Sequence, residues 1–475
     1  MSYTVAQNTS FFTVASVLQK IVSFVYFAII ARIIGVDNTG IYFFAVAYTT
    51  IFVVFADFGL GTVFTREASR NKEKAAGYLN TLISAKLMFG VLTYILVVVS
   101  VNLLGYSDLT KNLIYISGIT MFFDNIHNIF YSFFRSKQNL FFESVGIVFS
   151  QILTLIIGTL ALFNKLPLYW LILAYTIPSF LNVVYVSLIY RSYFKLKLLL
   201  SFDFFLFKKF LIIAWPFALA GAIMRLYNYS DSLLMSKMLT PRELGLWGVV
   251  YKMSSSFYFL AIALSSSIYP VFSTMYIKDK AKVIYLFQKS YRYLFFLSFP
   301  IIGGIMVLAQ PIMNLVYGSE YSPSVLPLQI AIVSLIFVFV TYINGSLLNA
   351  IDKQKLNTAI LGSALVISII LNIILLPRLG IIGAAIVVVL TSIWLAKIGY
   401  LYCNQYLKIE HHIIFKYFNQ TFWPACTMAA CVYFLADKIY FLWTIPIGGI
   451  IYLGLVFLTG GLSKQILLNI KNKLT

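Results

Sequence analysis

Acidic side chains are scarce in this chain. Only 15 Asp and Glu stand against 35 Lys and Arg among 475 residues, and charged residues of both signs make up 11%. Soluble domains carry about a quarter charged residues, so a soluble globular fold is excluded. The scarcity of acids also argues against a glycosyltransferase or polymerase built on paired carboxylates, and against a cavity for cations. Cysteine is nearly absent: Cys403, Cys426 and Cys431 are odd in number, late in the chain, and show neither a disulfide framework nor metal-ligand spacing. The adjacent His411 and His412 lack the spacing of a metal pair, so no metal, cofactor or catalytic residue is expected. Alternation of polar and apolar positions, the mark of a transmembrane barrel, is missing too. The opening MSYTVAQNTSFF has no positive region or cleavage site of a signal peptide, so the first apolar run is expected to stay as an anchor.

What the chain has instead is apolar length, with 61% hydrophobic residues and a mean hydropathy of +0.91. A helical span needs about 20 apolar residues to cross roughly 30 Å of hydrocarbon, and backbone groups in lipid must be paired within the segment. Fourteen such runs are read, near 11–34, 40–64, 80–104, 113–134, 141–162, 168–189, 211–235, 244–270, 291–313, 324–348, 356–376, 381–403, 419–436 and 441–460. Connections are short, and none has room for a soluble domain. With a cytoplasmic N-terminus, 23 Lys and Arg fall inside and seven outside, alternating loop by loop. This positive-inside bias puts both termini in the cytoplasm, the tail carrying Lys464, Lys471 and Lys473. The net charge of +20 is then explained by topology and anionic inner-leaflet lipid rather than nucleic acid.

One cation in mid-span occurs twice. Lys20 and Arg225 stand 205 residues apart, and the same offset brings Phe12 onto Phe217, Ala15 onto Ala220, Arg32 onto Lys237, Gly40 onto Gly245, Phe52 onto Phe257 and Ala56 onto Ala261. Another echo sets Lys137-Gln138 against Lys353-Gln354 at offset 216. The expected fold is an all-α integral membrane protein of two pseudo-symmetric six-helix lobes, 1–200 and 201–405, with a terminal helix pair and cytoplasmic tail in 406–475. Both lobes start inside, so the repeat is parallel, and the recurring cation suggests that the lobes face each other across a site for something negative.

A cation at mid-membrane costs about 2.5–3.5 kcal/mol on insertion scales and needs a partner or a wet cavity. Around Arg225, Asn228, Tyr229 and Ser232 extend one polar helix face. Asp231 and Lys252 lie at similar depth on consecutive spans, so they either serve that site or neutralise each other. Gln19 and Ser23 can help solvate Lys20. Lys86 and Lys397 lie near cytoplasmic ends and are expected to snorkel to the interface. Asp57 is read as a gate or as an anchor for the loop carrying Arg66 and Arg70. Asp124 and His127, three apart, suit either a proton relay or helix–helix bonding. Tyr227 and Tyr229 are candidates for stacking on a sugar ring.

Four stretches then carry a family resemblance: NTSFFTVASVLQKIVSFVYFAIIARIIGVDNTGIYFFA with FADFGLGTVFTREASR, WPFALAGAIMRLYNYSDSLLMSKMLTPRELGLWGVVYKM, VYGSEYSPSVLPLQI and LNIILLPRLGIIGAAIVVVLTS. They resemble the polysaccharide-export branch of the MOP transporter superfamily, the Wzx-like O-antigen flippases. The resemblance implies a MATE/MOP-like fold whose first, second, seventh and eighth helices line a central cationic cavity, which implicates Lys20, Asp57, Arg225 and Lys252. It also implies transfer of an undecaprenyl-diphosphate-linked oligosaccharide across the bacterial cytoplasmic membrane, coupled to protons, sodium ions or the membrane potential. Membrane lipids would be further partners, and a polysaccharide polymerase and chain-length machinery would act downstream. The alternatives are a lipid II flippase and a cation-exporting multidrug transporter of the sister MATE branch, which uses acidic cavity groups.

Overall fold

The computed structural model describes residues 4–461, so the expected tail with Lys464, Lys471 and Lys473 lies outside the described residues. Those residues are almost entirely helical, with no strand among them. Two compact units divide the chain, Met1–Gly245 and Leu246–Thr475.

The first unit holds α1 (Val5–Asp57), α2 (Leu60–Arg70), α3 (Ala75–Leu103), α4 (Asp108–Ser136), α5 (Phe141–Phe163), α6 (Tyr169–Ser192) and α7 (Phe204–Met238). Thr4 opens α1 with a reciprocal cap: its hydroxyl accepts from Gln7 N at 3.2 Å while Gln7 Oε1 accepts from Thr4 N at 2.9 Å. A straight helix of 53 residues would run about 80 Å, far more than a bilayer. Gly35, at φ 77° and ψ 171°, breaks α1 into two arms in a conformation that side-chain-bearing residues rarely adopt. The second arm ends at Asp57, where Phe58 and Gly59 both turn left-handed before α2 begins. Helix α4 is the centre of this unit and packs on α1, α3 and α6. Its C-terminal half is aromatic, with Phe130, Phe133 and Phe134 buried against Tyr190 and the stacked Phe194.

Helices α8 (Pro241–Ser255), α9 (Tyr258–Lys278), α10 (Lys280–Val316), α11 (Val325–Ile332), α12 (Ser334–Ala350), α13 (Gln354–Leu407), α14 (His411–Ala436) and α15 (Phe441–Leu458) follow. Within the second unit the buried Asn344 ties three helices together. It accepts from Tyr291 Oη at 2.6 Å and donates to the Ala396 carbonyl at 3.1 Å. Arg292 reaches the Gly460 and Gly461 carbonyls, both at 2.9 Å, and so caps the end of α15. Gly380, at φ 53° and ψ −136°, divides α13 as Gly35 divides α1.

Nine helices among the described residues are long and apolar enough to cross a membrane, or ten with the bent α11–α12 pair as one span. The expectation of fourteen counts each arm of α1 and α13, and the more polar α4 and α14, as separate crossings. The Lys-Gln echo proves two residues out of register. The left-handed turn residues are Gln138 and Asp352, each followed by an amide bonded five residues back (Asn139 to Phe134 at 3.0 Å, Lys353 to Leu348 at 2.8 Å). The matching turns therefore lie 214 apart, and the shared dipeptide falls at different places in them.

Candidate functional site

The 205-residue offset has a physical counterpart in the first unit. Gly40 and Gly245 pack backbone to backbone: a Cβ on Gly40 would lie 1.9 Å from the Pro241 carbonyl oxygen and 2.7 Å from Gly245 N. A Cβ on Gly245 would lie 2.0 Å from the Val36 carbonyl oxygen. Three residues earlier the same register pairs Asp37 with Arg242, Oδ2 to Nη1 at 3.7 Å. Beside this crossing, Lys237 lies 3.7 Å above the Tyr106 ring and donates to the Leu104 carbonyl, while Tyr106 Oη meets Ser236 Oγ at 2.8 Å. Equivalent positions of the two halves thus meet each other where α1 bends and α8 begins.

Depth can be counted from that crossing. Lys20 and Arg225 each lie twenty residues before their glycine; Lys20 is about 22 Å along the first arm of α1 from the Gly35 break, and Arg225 about 20 Å along α7 from its end at Met238. Asp57 lies seventeen residues after Gly40 on the returning arm, about 25 Å from it. Lys252 follows Gly245 by only seven residues, and its counterpart at the offset is the uncharged Ala47. Among the candidate charges only Lys20 and Arg225 are matched.

The two matched cations are both poorly satisfied. Lys20 is exposed and makes no ion pair or hydrogen bond among the described residues. Arg225 is half-buried, and its hydrogen bonding among them is one long contact from Nη1 to the Thr50 carbonyl at 3.3 Å. Among the described residues no carboxylate lies within salt-bridge distance of either, although Asp57 is near enough to attract Arg225. Asn228 and Tyr229 are half-buried on the same helix, with Tyr229 near the guanidinium. Asp231 is buried and accepts from Ser232 N at 2.6 Å and Ser232 Oγ at 3.2 Å. Lys252 belongs to the second unit and is half-buried just before α8 ends.

Two further cations of the first unit, Lys86 and Arg135, are neutralised by carboxylates. Lys86 does not snorkel: its side chain is 1% exposed, and Nζ donates to Asp57 Oδ1 at 2.5 Å and to Asn125 Oδ1 at 2.7 Å. Asp57 accordingly anchors to Lys86 rather than to Arg66 and Arg70, which pair with Glu67. Lys86 was missed as a site residue, yet a signal existed. The lone acid of the second span and the base of the third lie at matching depth on consecutive, antiparallel helices. Arg135, expected in a loop, forms a two-pronged pair with the buried Glu143 and lies over the Phe12 ring. Asp124 and His127 do share a face, with Oδ1 3.7 Å from Nδ1, and Asp124 also accepts from Ser179 Oγ at 2.6 Å. Asp57 of α1 and Asp124 of α4 thus lie with Lys86, Asn125 and His127, while neither Lys20 nor Arg225 has a carboxylate partner among the described residues.

Removing one partner of a buried ion pair strands the other, at about 3–5 kcal/mol. The Asp57 side chain is 38% exposed and retains some hydration, so the low end applies. Lys86→Met is expected to lower stability by about 3 kcal/mol in detergent unfolding. Adding Asp57→Asn to that variant is expected to recover most of the loss.

The chain matches the family described as "Polysaccharide biosynthesis protein" over residues 5–276. It is 23% identical over 402 residues to the Staphylococcus aureus "Capsular polysaccharide biosynthesis protein CapF", covering 83% of this chain and 98% of that protein. It is 26% identical over 207 residues to the "Probable low-salt glycan biosynthesis flippase Agl15" of Haloferax volcanii, covering 43% and 42%. Among solved structures, the fold is similar to "Lipid II flippase MurJ, inward closed conformation", with a TM-score of 0.77, 21% identity and coverage of 94% and 97%. With more than half its length matched by the family description and its long apolar helices, the chain belongs to the polysaccharide biosynthesis protein family and is a multi-pass membrane protein.

Proposed function

We propose that this protein moves an undecaprenyl-diphosphate-linked oligosaccharide, a repeat unit of O-antigen or another surface polysaccharide, from the inner to the outer leaflet of the bacterial cytoplasmic membrane by alternating access. The observation that carries this reading is the contrast between two pairs of cations in the first unit. Lys86 and Arg135 are neutralised by carboxylates, whereas the repeat-matched Lys20 and Arg225 are not. A cation kept without a carboxylate in a low-dielectric layer is suited to a transient anion, and a diphosphate brings at least two charges. The planar guanidinium of Arg225 can grip phosphate oxygens in pairs, and Lys20 adds a point charge. Asn228 and Tyr229 extend the polar face toward the sugar, and Lys252 offers a cation nearer the outer end, while the lipid tail remains in the bilayer.

Drive can come from the membrane potential. Each elementary charge crossing 100 mV is worth about 2.3 kcal/mol, so a dianion leaving a negative interior gains about 5 kcal/mol per 100 mV. Asp57 with Lys86, Asp124 with His127, and the buried Asp231 are the candidates for gating and for coupling to a proton or sodium ion. Both termini would be cytoplasmic, and the delivered glycan would pass to a polysaccharide polymerase and chain-length machinery. A MATE-type exporter of cationic drugs is disfavoured, because the unpaired groups are cations. The charge argument applies equally to lipid II, so the test separates the two cargoes. Depleting the protein is expected to leave the lipid-linked oligosaccharide assembled but shielded from periodate added outside spheroplasts, with peptidoglycan synthesis intact. Arrested peptidoglycan with normal surface glycan would transfer the assignment to lipid II.

A further inference from the structure

The second unit contains a crevice of about 420 Å³ between α10, α12, the second arm of α13 and α14. Its walls are almost wholly apolar, with Phe295, Phe337, Ile393, Phe415 and Phe418 among them, and no Asp or Glu lines it. Its polar features form a single ladder. Lys397 is exposed and makes no ion pair or hydrogen bond among the described residues. Tyr400 stands three residues on, next to Lys397 on the helix face, and its hydroxyl meets His411 Nδ1 at 2.5 Å. His411 begins α14 at the turn after α13, and its other ring nitrogen has no hydrogen bond among the described residues. The nearby Glu410 faces away, pairing with His412 at 3.5 Å.

Counted along α13, Lys397 lies ten residues before Leu407, about 15 Å deeper than the turn. Its amine must reach toward the interface, which brings it to the depth of a lipid phosphate or ester. We propose that this crevice binds one anionic phospholipid from the leaflet that meets the α13–α14 turn, with its headgroup phosphate between Lys397 and His411 and one acyl chain among the aromatic walls. Basic pockets between helices at this membrane face favour anionic headgroups, and the missing acids leave the positive charge uncompensated. The volume falls within the range of small-ligand pockets. It suits one acyl chain and is too small for a polyprenyl tail. This inference stands apart from the flippase reading, since the crevice lies wholly in the second unit and uses neither Lys20 nor Arg225.

The test is native mass spectrometry of the full chain in mild detergent, titrated with phosphatidylglycerol or phosphatidylethanolamine. The wild-type chain should retain one phosphatidylglycerol at concentrations where phosphatidylethanolamine is lost. Lys397→Gln should weaken that retention at least tenfold, and Ile393→Trp, which fills the crevice, should do the same with an unchanged elution profile. A photoreactive acyl chain on phosphatidylglycerol provides a measurement on the unaltered protein and should label peptides covering 393–400 and 411–418. Equal retention of both lipids, phosphatidylglycerol binding unaffected by both substitutions, labelling spread evenly over the helices, or one-for-one displacement by undecaprenyl phosphate at lower concentration would each overturn the proposal.

Discussion

Arg225→Ala and Lys20→Ala are each expected to slow glycan transfer by about 10- to 150-fold, the loss of one charge-assisted contact worth roughly 1.5–3 kcal/mol. The expectation is large because neither cation has a carboxylate that would be stranded by its removal, so the loss should fall on the cargo and not on the fold. Membrane abundance should therefore stay normal while surface glycan disappears. Arg225→Lys should fall between, keeping the charge but losing the planar fork. Arg225→Glu should be worse than alanine for an anionic cargo. Surface glycan labelling beside an immunoblot of the membrane fraction reads both quantities. Alanine variants that transfer glycan at the parental rate would remove the anion site, and variants that vanish from the membrane would recast both residues as structural.

Gly40→Ala, or Gly245→Ala, is expected to stop transport almost completely. A methyl group at Gly40 would overlap the Pro241 carbonyl oxygen at 1.9 Å, and one at Gly245 would overlap the Val36 carbonyl oxygen at 2.0 Å. Both obstacles are backbone atoms, which cannot swing aside as a side-chain tip would. The crossing should be forced apart, and on the proposed topology it lies at the outer face. A cysteine at Asn228, in a chain with Cys403, Cys426 and Cys431 replaced, should then react with an impermeant maleimide added outside. The parent chain should react far less. Parental transport in either glycine variant would mean that the crossing is not a seal.

The fold class was legible because lipid demands long apolar runs, and the offset between the halves was legible because it preserves a costly cation. The Gly40–Gly245 match stood in the sequence as well, but its meaning needed the contact, since nothing local distinguishes a glycine at a crossing from one in a bend. Lys86 was misplaced for a related reason. Depth along one helix suggested that its amine could reach water, whereas the neighbouring Asp57 and Asn125 offered a nearer partner inside. The break at Phe58 and Gly59 was hidden inside an apolar run because a phenylalanine held in the left-handed region leaves no compositional mark. That Asp57 pairs with Lys86 and not with Lys20 or Arg225 could not be read without coordinates.

The Asp37–Arg242 contact says something about ancestry. Between two identical copies related by a true dyad, a residue near the axis meets its own twin, so an aspartate would face an aspartate and an arginine an arginine. Opposite signs at matched places are open only to copies that are no longer identical. The pair is exposed and contributes little energy, so its interest is historical: between repeated halves, this attraction belongs to a time after the two had diverged.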